Sequence, residues 1–279
     1  MAKVIRYDEI DNCAIVNGSD GLLKRTYFNL ITLDAGTTHM EKASGFELLV
    51  VVLSGNCDVE IDGQVFQGIG QRPDIWSGKA DSVYAGPCNT LRIQANCDHT
   101  EIAIAGGLCD RPFAPFRIPP ENVDMVDVGS LETHSRRRIY HILGNNHVDQ
   151  AGNLLVSELY ADAGCWSGYP PHKHDEDRDQ AETAHEELYH FRFRPETGFG
   201  AQFCFQPDGS RECYMMCHGD TFLLDRGFHP TVTSPGHDEY IFTILVGNTQ
   251  RPLVQYFHED YHYLMNAIPG IDAMRAKFR

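Results

Sequence analysis

The spacing of apolar residues constrains this chain more than any other feature. Short runs rich in Val, Ile, Phe and Tyr recur from end to end, bounded by Gly, Pro, Asn or Asp. FELLVVVL (46–53), CDVEI (57–61), LRIQA (91–95), TEIAIAG (100–106), RIYHIL (138–143), LLVSELYA (154–161), LYHFRFR (188–194), AQFCF (201–205), ECYMMC (212–217), TFLLD (221–225) and EYIFTILVG (239–247) all predict strands. Helical periodicity is confined to short stretches near the C-terminus, such as IDAMRAKF (271–278). Many short strands separated by turns predict an all-β fold of barrels or sandwiches rather than alternating α/β units.

A length of 279 residues accommodates two such domains. The stretch from 107 to about 136 breaks the strand rhythm and carries four prolines, of which Pro119-Pro120 resists any ladder. The reading is an N-terminal domain over 1–115, a connection over 116–136 and a C-terminal domain over 137–279. A net charge of −16 excludes a partner bound through its phosphate backbone, so no nucleic acid is expected. The basic run Arg136-Arg137-Arg138 reads as a solvated or inter-domain feature. No apolar run approaches the roughly 18 residues of a membrane helix, and MAKVIRYDEI lacks a signal-peptide core. The nine cysteines are scattered without a CxxC pair, as in reduced thiols. The expected address is the cytoplasm.

The densest group of metal-ligating residue types is YPPHKHDEDRDQAETAHEELYHF, residues 169–191. On a strand, residues two apart share a face, so His172 and His174 put both imidazoles on one side. In the strand that follows, Glu187, Tyr189, Phe191 and Phe193 form one inward face, while Glu186, Leu188, His190 and Arg192 point the other way. Glu187 is therefore favoured over Glu186 as a ligand, with His185 on the same face as a rival. His229 follows an apolar strand and an Arg-Gly turn in GDTFLLDRGFHP (219–230), where Gly227 allows a tight return. Three imidazoles and a carboxylate suit zinc, manganese, iron, nickel or copper. Asp175, Glu176, Asp177, Asp179, Glu182 and His185 read as a solvated, charged connector.

The order HxH, Glu on the next strand, then a Gly-turn-His resembles the cupin fold. Within cupins, the chain resembles the 5-deoxy-glucuronate isomerase family of inositol breakdown. The resemblance rests on YPPHKHD (169–175), EELYHFRFRP (186–195), GFGAQFCF (198–205), DRGFHP (225–230) and PGHDEY (235–240). ELLVVVLSGNCDVEIDGQVF (47–66), GQRPDIWSG (70–78) and VYAGP (83–87) extend it through the N-terminal half. It implies a bicupin, two jelly-roll β-barrels in tandem with few short helices. It also implies metal ligands at His172, His174, Glu187 and His229, and an N-terminal cupin without a metal site. That half lacks HxH and reads Gly86-Pro87-Cys88 at its second motif. The chain departs from the family's pattern at Phe228, Asp225 and Ile241-Phe242-Thr243, which alters pocket positions but not the ligands.

The resemblance further implies aldose–ketose isomerisation of 5-deoxy-glucuronate to 5-dehydro-2-deoxy-gluconate, with zinc or manganese as the first expectation for the metal and iron or nickel after them. Such a reaction needs a Lewis acid on adjacent oxygens and a group that moves a proton between neighbouring carbons. Glu187, Tyr189 and Tyr240 are the candidates for proton transfer. Arg226, then Arg192 and Arg251, are the candidates for a bidentate contact to the substrate carboxylate. The rival readings are an isomerase of a related keto-deoxyuronate, an iron cupin oxygenase, and a non-catalytic sugar-acid-binding cupin. The expected partner is a small sugar acid, and the sequence leaves a homo-oligomer open.

Overall fold

The computed structural model describes residues 2–6, 12–19 and 21–278. Ten of the eleven runs quoted above fall within strands, TFLLD runs one residue past the strand Thr221–Leu224, and IDAMRAKF forms the helix Ile271–Phe278. Strands such as Thr26–Leu33 and Asp81–Ala85 join them. The fold is all-β, with two barrels, each built from a large and a small sheet.

In the N-terminal barrel, a six-stranded sheet runs in the order Phe116–Ile118, Asp81–Ala85, Phe46–Ser54, Thr100–Leu108, Thr26–Leu33, Val16–Asn17. Its small sheet contains Thr38–Glu41, Leu91–Ala95, Cys57–Ile61 and Gln64–Ile69. In the C-terminal barrel, a seven-stranded sheet runs Ala2–Ile5, Thr221–Leu224, His185–Arg194, Asp238–Gly247, Leu154–Ala161, Arg137–Leu143, Asp124–Val128. Its small sheet contains Trp166–Ser167, Thr231–Thr233, Phe199–Phe205 and Arg211–Cys217.

The domain boundaries differ from those read in the sequence. Ala2–Ile5 pairs with Thr221–Leu224, so the first strand completes the C-terminal sheet. The expected connection over 116–136 also carries sheet structure. Phe116–Ile118 pairs with Asp81–Ala85 and Asp124–Val128 pairs with Arg137–Leu143, on either side of Pro119 and Pro120. The prolines interrupt pairing only where the chain passes from one barrel to the other.

The two large sheets pack face to face. Phe28, Leu30, Leu49, Val51 and Tyr84 from one meet Leu154, Val156, Leu188, Phe242 and Ile244 from the other in a single buried core. Each large sheet is thus covered on both faces, which is why FELLVVVL and EYIFTILVG are nearly unbroken apolar runs. The charged groups Arg72, Glu158 and Glu47 buried at this interface have partners. Arg72 donates to Glu158 at 3.0 and 2.5 Å, and Tyr240 Oη donates to Glu158 Oε1 at 2.9 Å, with all three residues buried. Glu47 accepts from Tyr84 Oη and from the backbone of Gly152 and Leu154 across the interface. Among the described residues, no helix is long and apolar enough to cross a membrane.

Removing one member of the Arg72–Glu158 pair leaves the other charged and dry. Arg72→Met is expected to lower unfolding free energy by about 3–5 kcal/mol, measured by urea denaturation. The double variant Arg72→Met/Glu158→Leu should recover a large part of that loss.

Candidate metal centre

Tyr169-Pro170-Pro171 leads into the short strand His172–Lys173, which pairs with Tyr256–Phe257. Alternation turns His172 and His174 inward and Lys173 away from them. Lys173 is itself buried, and its ammonium contacts Asp175 and Glu182. Of the connector expected to be solvated, Glu176, Asp177 and Asp179 are exposed, whereas Asp175 is half-buried and Glu182 and His185 are buried. Glu182 is 0% exposed and accepts from the backbone of Asp175 and Glu176, from Lys173 Nζ and from Arg178. The turn folds around this one carboxylate, because two cations and two amides compensate its burial.

Asp175 joins the two ligand-bearing segments, since its carboxylate accepts from Gly227 N at 2.7 Å. Gly227 has φ +98°, and a Cβ there would meet the side chain of Gln206 at 2.3 Å. Only glycine fits, and the turn it permits delivers His229.

The nitrogens of His172, His174 and His229 lie within 4.8 Å of one another, and all three side chains are buried. Each Nδ1 faces a backbone carbonyl: Pro170 O at 3.1 Å, His185 O at 3.2 Å and Gly227 O at 2.8 Å. These contacts fix the Nδ1–H tautomer and turn the Nε2 lone pairs toward the centre, as second-shell partners do in metal sites. Glu187 Oε2 lies 3.0 Å from both His174 Nε2 and His229 Nε2.

A carboxylate oxygen that close to two imidazole nitrogens requires a positive charge, supplied by a proton or by a metal ion. Against the cost of burial, the Glu187 carboxylate raises His174 above its ordinary value. Burial, followed by the neighbouring His229 and His174, holds His172 far below its own. Glu187 stays ionised because His174 and His229 outweigh the desolvation that would raise it. His229 Nε2 is buried and makes no hydrogen bond. Three aimed lone pairs and one carboxylate fit a divalent metal ion.

The centre opens into a cavity inside the C-terminal barrel. Its lining includes His172, Glu187, Tyr189, Arg137, Ser167 and Gln255, and Met274 and Phe278 from the C-terminal helix cap it. Gln255 Nε2 lies 3.0 Å from His172 Nε2. Burial, then the Glu187 carboxylate, raises Tyr189 well above the ordinary phenol value.

The remaining expected site residues lie elsewhere. Tyr240 points into the interface between the barrels, because on Asp238–Gly247 it alternates with the cavity-lining Ile241 and Thr243. Arg192 pairs with Glu101 of the N-terminal barrel at 2.6 Å. Arg251 donates to the carbonyls of Leu154, His147 and Gly144, holding a loop to the sheet. Arg226 is largely exposed on the outer side of the His229 turn, beside Asp225. His185 is buried rather than solvated, with Nε2 3.1 Å from Arg251 O, so the structure does not bring it into the three-histidine group.

Arg137 was missed as a site residue. On the strand Arg137–Leu143 it faces inward and is 1% exposed, whereas Arg136 and Arg138 face outward to aspartates. The signal was the alternation in RRRIYHIL, hidden by treating three arginines as one basic run. Gln255 and Ser167 carry no motif.

The KduI/IolB family pattern matches residues 9–264. The chain belongs to the KduI/IolB family. It is 32% identical over 245 residues to the 5-deoxy-glucuronate isomerase of Lacticaseibacillus casei, covering 87% of this chain and 88% of that one. The corresponding enzyme of Bacillus licheniformis is 30% identical over 249 residues, with 88% and 89% covered. The crystal structure of an IolB-like protein from Salmonella typhimurium superposes with a TM-score of 0.86 at 26% identity, over 94% of this chain and 98% of that one. A variant of Bacillus subtilis oxalate decarboxylase shares the fold at a TM-score of 0.61 and 10% identity, over 91% and 78%. This KduI/IolB member is accordingly an isomerase with a bicupin fold, and its histidine group can hold a metal.

Further along the cavity-facing side of Asp238–Gly247 lies Glu239, fully buried with both carboxylate oxygens lacking hydrogen bonds. Burial pushes it from 4.5 up to about 8. Between those values the folded chain holds a proton that the unfolded chain has released, so stability falls as pH rises through that window. Glu239→Gln is expected to match the natural protein in unfolding free energy, from urea denaturation, at pH 5 and to exceed it by about 3–5 kcal/mol at pH 8.

His229→Ala should abolish stoichiometric metal in elemental analysis, and full occupancy would refute the ligand assignment. Asp175→Ala, which frees the Gly227 turn, should weaken metal affinity by about 10–100-fold in competition with a chelator.

Proposed function

We propose that this isomerase converts 5-deoxy-glucuronate to 5-dehydro-2-deoxy-gluconate in myo-inositol catabolism, using a divalent metal held by His172, His174, Glu187 and His229. The observation that carries the reading is the convergence of three Nε2 lone pairs and one carboxylate at the end of a closed barrel cavity, in a chain whose relatives bear that enzyme's name. Zinc and manganese both accept this donor set, as do iron and nickel.

Bound there, the metal supplies a Lewis acid for the substrate's carbonyl and adjacent hydroxyl oxygens. The protein's own groups divide the proton work. Among the described residues, Glu187 is the only acidic one lining the cavity and is held ionised, so it is the acceptor for the proton leaving the hydroxyl-bearing carbon. Tyr189 keeps its proton and is the donor toward an oxygen that gains negative charge. Return of the carbon-bound proton from Glu187 to the former aldehyde carbon, with the neighbouring hydroxyl's proton passing back to Tyr189, completes the isomerisation with no net redox change. Met274, Phe278, Leu253 and Ile139 keep the surroundings apolar and exclude water.

The test is incubation of metal-replete protein with 5-deoxy-glucuronate under anaerobic conditions in deuterium oxide. Ketose product carrying solvent deuterium at the former aldehyde carbon is the expected result. Turnover that needs oxygen, or no turnover with this acid at full metal occupancy, would refute the reading. Tyr189→Phe should lower kcat by about 10²-fold with metal content unchanged.

A further inference from the structure

We infer that Arg137 binds the carboxylate of the substrate acid, with the Ser167 hydroxyl as a neighbouring donor; this rests on the cavity being the isomerase's substrate site. Arg137 is among the largest fully buried side chains of the protein. Its Nη1 donates to Ser135 O at 2.9 Å and its Nη2 to Tyr169 O at 2.7 Å. Two of the five guanidinium N–H donors are thereby used, and Nε has no hydrogen-bond partner. Among the described residues, no carboxylate pairs with it.

A buried cation with neutral partners alone is costly, and the cost is met when an anion occupies the same space. Burial lowers the guanidinium to about 10, so it remains charged at neutral pH. Ser167 supplies a second, independent sign: its Oγ is buried, has no hydrogen-bond partner, and lines the same cavity. Glu187, the one anion in the lining, lies against His174 and His229. The cavity therefore carries two kinds of receptor, the metal group and an unsatisfied guanidinium whose remaining donors match a carboxylate. A small sugar acid with oxygens at one end and a carboxylate at the other satisfies both.

The experiment is calorimetric titration of the metal-loaded protein and its Arg137→Met variant with D-glucuronate and with uncharged D-glucuronamide. The natural protein should bind the acid at least about 30-fold more tightly than the amide. In Arg137→Met the preference should fall to within about threefold, with metal content and circular dichroism unchanged. Should Arg137→Met not fold, Arg137→Lys decides, because it keeps the charge and loses the planar fork. A preference for the acid reduced at least about fivefold there supports the anchor, and an undiminished preference overturns it. Undiminished preference in a folded Arg137→Met protein also overturns it. These outcomes are separate from the proposed reaction: failure to isomerise 5-deoxy-glucuronate while still preferring acid over amide refutes the reaction and leaves the anchor standing.

Discussion

The structure depends on the face-to-face packing of its two large sheets. Each fully buried Leu, Ile, Val or Phe in that shared core contributes roughly 1.5–3 kcal/mol relative to exposure, and the core draws on nearly every strand of both sheets. Neither barrel could present this face to water without exposing a large apolar patch. The contact also fixes the metal centre, because His185–Arg194 belongs to both structures. Glu187 and Tyr189 line the cavity, while Leu188 and His190 lie in the interface, with His190 against the ring of Phe28. Glu186 accepts from the backbone of Lys24 and Arg25 and from the Thr26 hydroxyl, tying the strand to the N-terminal barrel one residue from a ligand. Through this strand the N-terminal barrel is tied to the half that carries the histidine group.

The fold was legible because its strands are short and bounded by turns, and the three-histidine group because HxH and Gly-turn-His each rest on local geometry. The remaining site residues depended on which face of a sheet is which, and here the two-sided burial removed the signal. In EYIFTILVG both alternating sets are apolar or aromatic, so nothing local separates Tyr240, in the interface, from Ile241, in the cavity. Arg192 looked like a polar group on an outer face, but that face is an interface, and the arginine meets Glu101. The acidic loop misled in the opposite sense. Its charges predicted solvation, yet Lys173 and Arg178 made it worthwhile to bury Glu182. A run of mixed charge can be a surface or a folded knot, and only the partners decide.

The placement of charge bears on how an acidic protein could take an acid, the substrate class proposed above. With a net charge of −16, its long-range field repels anions. A Debye length of about 8 Å at physiological salt limits that repulsion to the approach. Inside the barrel the balance reverses. Among the described residues Arg137 has no acidic partner, and the histidine group can hold a cation. Charges in such a site interact more strongly than at the surface, so one buried guanidinium outweighs many exposed carboxylates. Arg226, exposed beside Asp225 on the rim, would share its field with solvent and with an anion already present. The arginine that faces the cavity is therefore better placed than Arg226 for the proposed carboxylate contact.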